Sequence, residues 1–174
     1  MTETYRNNME RGKQYEDYCS IGLTFFGANI QNYGSQKFQL TGENSFGLEM
    51  KLDTKWPESG NLYIEYMEKT DENNPHFVPS GILRKDNSCM LLIGNYDKAW
   101  LLSKPVLVMV FNKHYPYYKD GDTAYLVGRG IGFAQKPTSK GMLVSLKKLE
   151  EYCILLREFN WPKEDINKRL GGCL

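Results

Sequence analysis

The stretch Phe46–Asp53 constrains the fold more than any other part of this chain. Phe46, Leu48, Met50 and Leu52 alternate with Gly47, Glu49, Lys51 and Asp53. A period of two is a strand with one apolar and one charged face. The segment Thr54–Gly60 follows, where Pro57 and Gly60 mark a connection. Asn61–Lys69, rich in Tyr and Ile, then reads as a second strand. Consecutive strands joined by a short loop usually pair. A hairpin with Asp53 opposite Asn61 is therefore expected, placing Glu49 opposite Glu65 and Lys51 opposite Tyr63.

Around this centre the reading is coarser. Residues 8–26 are predicted helical, with Tyr15, Tyr18, Cys19 and Gly22 at helical spacing and Gly27 as a stop. Cys89–Tyr96 and Lys98–Ser103 read as a hairpin turning at Gly94–Asn95. Pro105–Phe111 suits a helix start by its proline and a strand by its Val-Leu-Val-Met-Val run. His114–Asp122 reads as a tyrosine-rich loop, and Thr123–Phe133 as a strand followed by a glycine-rich bend. Leu146–Phe159 is predicted to be a helix capped by Ser145, with Leu146, Leu149, Cys153 and Leu156 in one stripe. Pro162–Leu170 reads as a short last helix ended by Gly171. Helix, strands and helices in that order predict an α/β (α+β mixed) class, a central mixed sheet flanked by helices in a single domain over residues 1–174.

Composition narrows the function classes. Hydrophobic residues make up 41% and charged residues 25%, enough for a core and against disorder. A net charge of +1 gives no global attraction to nucleic acid, so phosphate binding would need a local basic patch. Cys19, Cys89, Cys153 and Cys173 form no C-x-x-C pair, which argues against structural zinc. Reduced thiols predict a cytoplasmic protein. The first twenty residues are polar and charged, which predicts no signal peptide, and no apolar run approaches the ~20 residues that span a bilayer, so no membrane association is expected.

Glu49, Lys51 and Glu65 carry the chemical reading. Two carboxylates across a ladder repel and require a lysine or a cation between them. Mg²⁺ prefers such oxygens and often takes one or two protein carboxylates plus a substrate phosphate. A metal there would activate water against a phosphodiester, and Lys51 would steady transition-state charge. The plain alternative is a half-exposed strand with salt bridges on its wet face.

The run Gly42-Glu-Asn-Ser-Phe-Gly-Leu-Glu-Met-Lys-Leu-Asp53, followed by Gly60-Asn-Leu-Tyr-Ile-Glu65, resembles the core of PD-(D/E)XK nucleases, and in particular phage-type endonuclease-like proteins. Ser80-Gly81-Ile82, Asp86-Asn87-Ser88 and Ser139-Lys-Gly-Met142 are similar to later segments of that group. The resemblance implies a restriction-endonuclease-like αβββαβ core, Mg²⁺ (or Mn²⁺), a DNA substrate and hydrolysis of its phosphodiester bonds. It also implies a helical glutamate at the site, by position Glu16 or else Glu10. Two departures stand out: there is no Pro-Asp pair, and Met67 follows Glu65 where the pattern has lysine. One alignment makes Glu43 the first acid and Glu49-Met-Lys51 the (D/E)-x-K. The other makes Glu49 and Glu65 the metal-binding acids with Lys51 as the lysine, and the hairpin geometry favours it. The expected catalytic set is Glu16, Glu49, Lys51 and Glu65. Gln36, Lys69 and Ser80 are the candidate substrate contacts. A homodimer would suit cleavage of both DNA strands. The missing lysine keeps open a catalytically inactive nuclease-fold protein that binds nucleic acid or a protein partner. Two further signals have bland readings: Gly128-Arg-Gly-Ile-Gly132 as a bend rather than a phosphate loop, and His114-Tyr-Pro-Tyr-Tyr-Lys119 as tyrosines packed on the sheet rather than stacked on bases.

Overall fold

A computed structural model describes residues 3–30, 44, 46–118 and 128–171. The protein is mixed α/β. Its described residues hold two four-stranded sheets rather than the single central sheet expected. The chain forms two compact units, one from Met1–Thr54, Asp86–Leu102 and Arg157–Leu174, the other from Lys55–Lys85 and Ser103–Leu156.

The first unit is built on α1 (Glu3–Thr24), which begins before the predicted helix does. Tyr15, Tyr18, Cys19 and Leu23 recur at three- and four-residue steps and are buried. They pack against Leu48 and Met50 of β1 (Leu48–Leu52) and against Leu92, Ala99, Phe159, Trp161 and Ile166. Gly22 lies under Trp161, where a Cβ would come within 2.7 Å of the indole ring. The helix stops at Gly27, whose φ of +84° is left-handed, and the Ala28 N–H bonds back to the Leu23 carbonyl at 3.0 Å.

β1 pairs in parallel with β4 (Met90–Gly94), Glu49 facing Leu91 and Lys51 facing Ile93. The hairpin expected with Asn61–Lys69 does not form. Thr54–Gly60 instead contains a helical turn, α2 (Trp56–Ser59), closed by Gly60 at φ +65°. Period two assigned the faces of β1 correctly but carries no information on which strand lies beside it.

β5 (Lys98–Ser103) follows β4 through a turn at Asn95–Asp97, slightly beyond the predicted Gly94–Asn95. The Asn95 side-chain oxygen accepts from the Asp97 and Lys98 N–H groups at 2.9 and 3.0 Å, fixing that turn. The sheet order is β1-β4-β5-β8, β8 being Leu155–Asn160. That strand corrects the helix predicted over Leu146–Phe159. A 3-10 turn (Leu146–Lys148) leads into Cys153, which sits at φ 54°, and the chain then runs extended. A left-handed residue cannot continue a right-handed helix. α4 (Lys163–Arg169) matches the predicted last helix and ends before Gly171 at φ +73°.

The second unit holds β2 (Asn61–Glu68), β3 (Val78–Pro79), β6 (Ile131–Gln135) and β7 (Ser139–Ser145), ordered β3-β2-β7-β6. β2 and β7 are antiparallel, with Tyr63 facing Leu143 and Glu65 facing Gly141. Leu62, Ile64, Tyr66, Met142, Val144, Ile131 and Phe133 are buried. The ambiguous Pro105 segment is helical: α3 (Lys104–His114) has its proline in the first turn and buries Leu107, Val110, Phe111 and His114 at helical spacing. Tyr115–Tyr117 form a 3-10 turn. Of the predicted strand and bend at Thr123–Phe133, residues 123–127 lie outside the described set. In the described part Gly128 and Arg129 are helical, Gly130 is a bend, and β6 follows it. Gly130 adopts φ +69°, and a Cβ there would run into the Lys148 side chain.

Candidate active site

The start of β1 is set by two residues that leave little freedom. Gly47 has φ +62°, and a Cβ would lie 2.7 Å from the Asn87 carbonyl oxygen. Its own carbonyl accepts from the Cys89 and Met90 N–H groups at 2.8 and 3.1 Å. Asn44 is buried, and its amide brackets Leu48: the side-chain oxygen accepts the Leu48 N–H at 3.1 Å, and the side-chain nitrogen donates to the Leu48 carbonyl at 2.6 Å. One side chain thus does for Leu48 what a neighbouring strand would do, satisfying backbone groups at the edge of the sheet.

The strand so anchored turns Leu48 and Met50 toward α1 and leaves Glu49 and Lys51 on its other face. Glu49 is 2% exposed. Lys51 is half-exposed and brings Nζ to 3.2 Å from the Glu49 Oε1. A carboxylate at that depth costs several kcal/mol unless a counter-charge or hydrogen bonds meet it. Asp53 continues the same alternation just past the strand; it is buried, and its N–H still bonds to the Gly94 carbonyl at 2.7 Å. Glu49, Lys51 and Asp53 are therefore a charged face on one short, well-anchored segment.

The remaining predicted residues are distributed otherwise. Glu65 is not the ladder partner of Glu49: Glu49 faces Leu91 and Glu65 faces Gly141, so the expected Glu49–Glu65 pair across one hairpin does not form. Glu65 belongs to the second unit, where the buried Ser80 hydroxyl donates to its Oε1 at 2.8 Å. Gly81, at φ +47°, presses on the Glu65 backbone so closely that no Cβ fits. Ser80 is thus a holder of Glu65. Lys69 donates to the Glu72 carbonyl at 2.8 Å and lies over the Phe77 ring. Glu16 is half-buried on α1, with its carbonyl accepting from the Ser20 hydroxyl at 2.8 Å. Glu10 is exposed. Gln36 and Glu43 lie outside the described residues.

Two buried polar residues escaped the sequence reading. Lys104 opens α3 and is 5% exposed; nothing in its sequence context separates it from a solvated lysine. Asn44 lies within the nuclease-like run, but its strand-edge role depends on the chain folding back on Leu48. Of the cysteines, Cys19 is a buried free thiol whose pKa is pushed up by burial, while Cys89 and Cys153 are exposed free thiols.

Glu49 and Asp53, both buried, carry the kind of carboxylate oxygen that a hard divalent ion would take. The donor set is small: among the described residues no group of three or more His, Cys, Asp or Glu side chains is placed to hold a metal. A Mg²⁺ there would rely on water and phosphate oxygens for most of its shell. No helix among the described residues is long and apolar enough to cross a membrane. No protein-family model, curated protein or solved structure matches the chain.

Proposed function

We propose that the chain is a Mg²⁺-dependent nuclease that hydrolyses DNA phosphodiester bonds, on a restriction-endonuclease-like core with Glu49-Met-Lys51 as its (D/E)-x-K element. The observation that supports this reading is the buried Glu49 carboxylate held 3.2 Å from the Lys51 ammonium on one strand face. Buried ion pairs are often no more stabilising than well-packed apolar residues of similar volume, so stability alone is a weak reason for a charge at that position. Glu49 and Asp53 would hold the ion, which supplies Lewis-acid activation of water and of the phosphoryl group. Lys51 has an exposed portion and a positive charge, so it can meet the phosphate as negative charge develops. In the reaction a water oxygen would bond to phosphorus and give up a proton to solvent, the phosphodiester P–O bond would break, and the departing oxygen would take a proton from solvent.

A second reading is favoured by the same ion pair. Lys51 already neutralises Glu49, and the lysine two residues after Glu65 is absent, so the same fold can serve as an inactive binder of nucleic acid or of a protein partner. Plasmid cleavage with Mg²⁺ or Mn²⁺, against EDTA, separates the two. Active protein should lose about a hundredfold or more in rate on Glu49→Ala and on Lys51→Met, with calorimetric Mg²⁺ binding weakened by the first change and retained by the second. Cleavage that survives Glu49→Ala removes this site from the reaction. Absence of both cleavage and Mg²⁺ binding leaves the inactive reading.

A further inference from the structure

The second unit carries a cavity of about 420 Å³ that the proposed nuclease chemistry does not use. Tyr66, Tyr115, Tyr118, Phe133, Gln135 and Lys140 line it. The rings form a fixed wall. Tyr118 lies 4.9 Å from Phe133 and donates its hydroxyl to the Phe133 carbonyl at 2.9 Å. Tyr115 sits 5.2 Å from Phe133 and stacks on Phe111 at 4.7 Å, nearly parallel. Tyr66 meets the Tyr115 ring edge-on at 5.6 Å.

The polar groups lie at the mouth of the β6–β7 hairpin, where Gln135 faces Lys140 in register. A second lysine stands close by: Lys69 and Lys140 both approach the Phe77 ring. Among the described residues the lining combines aromatic rings with the Lys140 ammonium and the Gln135 amide, a set that fits a planar ring carrying an anion.

We infer that this cavity is a nucleotide subsite for single-stranded DNA, with a base against the Tyr115–Phe133 wall and the adjoining phosphate at Lys140. Base stacking on fixed rings tolerates any sequence, and a lysine adds a salt-dependent phosphate contact. The inference rests on the nucleic-acid part of the reading above but needs neither metal nor cleavage.

The test uses the full chain in EDTA and a 5′-phosphorylated, fluorescently labelled oligothymidylate, read by anisotropy. Tyr115→Ala should weaken binding about tenfold through lost stacking. Lys140→Gln, a milder change, should weaken binding and lower the salt slope by about one. Tyr117→Ala, on a ring outside the cavity that is 73% exposed, should leave affinity unchanged. An abasic oligomer of equal length should bind more weakly than the thymidylate. Equal affinity for the abasic oligomer, no binding by the wild type, or indifference to both Tyr115→Ala and Lys140→Gln overturns the subsite. Binding that persists in a protein without Mg²⁺-supported cleavage sinks the nuclease reading alone. Cleavage without oligothymidylate binding sinks the subsite alone.

Discussion

His114 shows how far one residue's environment departs from its sequence. It looked like the first member of a basic, aromatic loop. It is instead the last residue of α3, 4% exposed, with its ring edge-on to Tyr152 at 5.4 Å. Burial, then the charges of Lys113 and Arg129, lower its pKa below the usual 6.5. The folded protein therefore resists a proton that the unfolded chain accepts. Its contribution to stability is fully present above pH 6.5 and is lost as pH falls from there through the folded pKa. Urea unfolding of the wild type should weaken across that window by at most about 1.4 kcal/mol per pH unit from this group. A His114→Gln variant should lack that part of the slope. An identical pH slope in both proteins would show that the histidine does not carry it. Residues of this kind are illegible in a sequence, because exposure is a property of the packing around them. Glu49 and Lys51 were legible because two positions on one strand share a face whatever the strand pairs with. Glu65 was legible as an acid, but its tether to Ser80 required the chain to return fifteen residues later.

At the scale of elements, β1, β2, the β4–β5 hairpin, α1 and α4 could all be read from local periodicity and turn chemistry. Pairing could not: the β1–β4 contact joins segments far apart in sequence, and no local rule selects β4 over β2. The largest misreading was the helix over Leu146–Phe159. Leu146, Leu149, Cys153 and Leu156 fit a helical stripe, yet Leu156 is 52% exposed and Cys153 turns left-handed. The better signal lay one step later, where Phe159 and Trp161 alternate with exposed Glu158 and Asn160. Phe159 stacks almost parallel on Trp161 at 5.4 Å, and Phe26 meets both rings at larger angles. Lys98 and Trp100 of β5 reach across to Glu158 of β8, at 2.7 and 3.0 Å. Phe159→Ala should therefore cost about 3–5 kcal/mol in chemical denaturation, whereas Leu156→Ala, on the same strand, should change stability by about 0.5 kcal/mol or less. Equal losses from the two would mean that β8 does not present alternate residues to this core.

Neither compact unit is a continuous stretch of chain. The first draws on three segments and the second on two, so the backbone passes between them repeatedly. The cluster around α1 is completed by Phe159, Trp161 and Ile166, which come after the whole of the second unit in sequence. A fragment ending at Leu102 keeps α1, β1, β4 and β5 but loses those three side chains. It should show helical far-UV signal without fixed aromatic signal and should bind a hydrophobic dye, as loosely packed states do. A sharp, cooperative melt in that fragment would show that the core closes without its last segment. The same ordering matters while the chain is being made. Tyr15, Tyr18 and Leu48 emerge from the ribosome long before the indole that covers them, and an apolar surface held open for that interval invites association with other nascent chains. Efficient production in a cell should then depend on a holdase that masks the amino-terminal third until translation has passed Ile166.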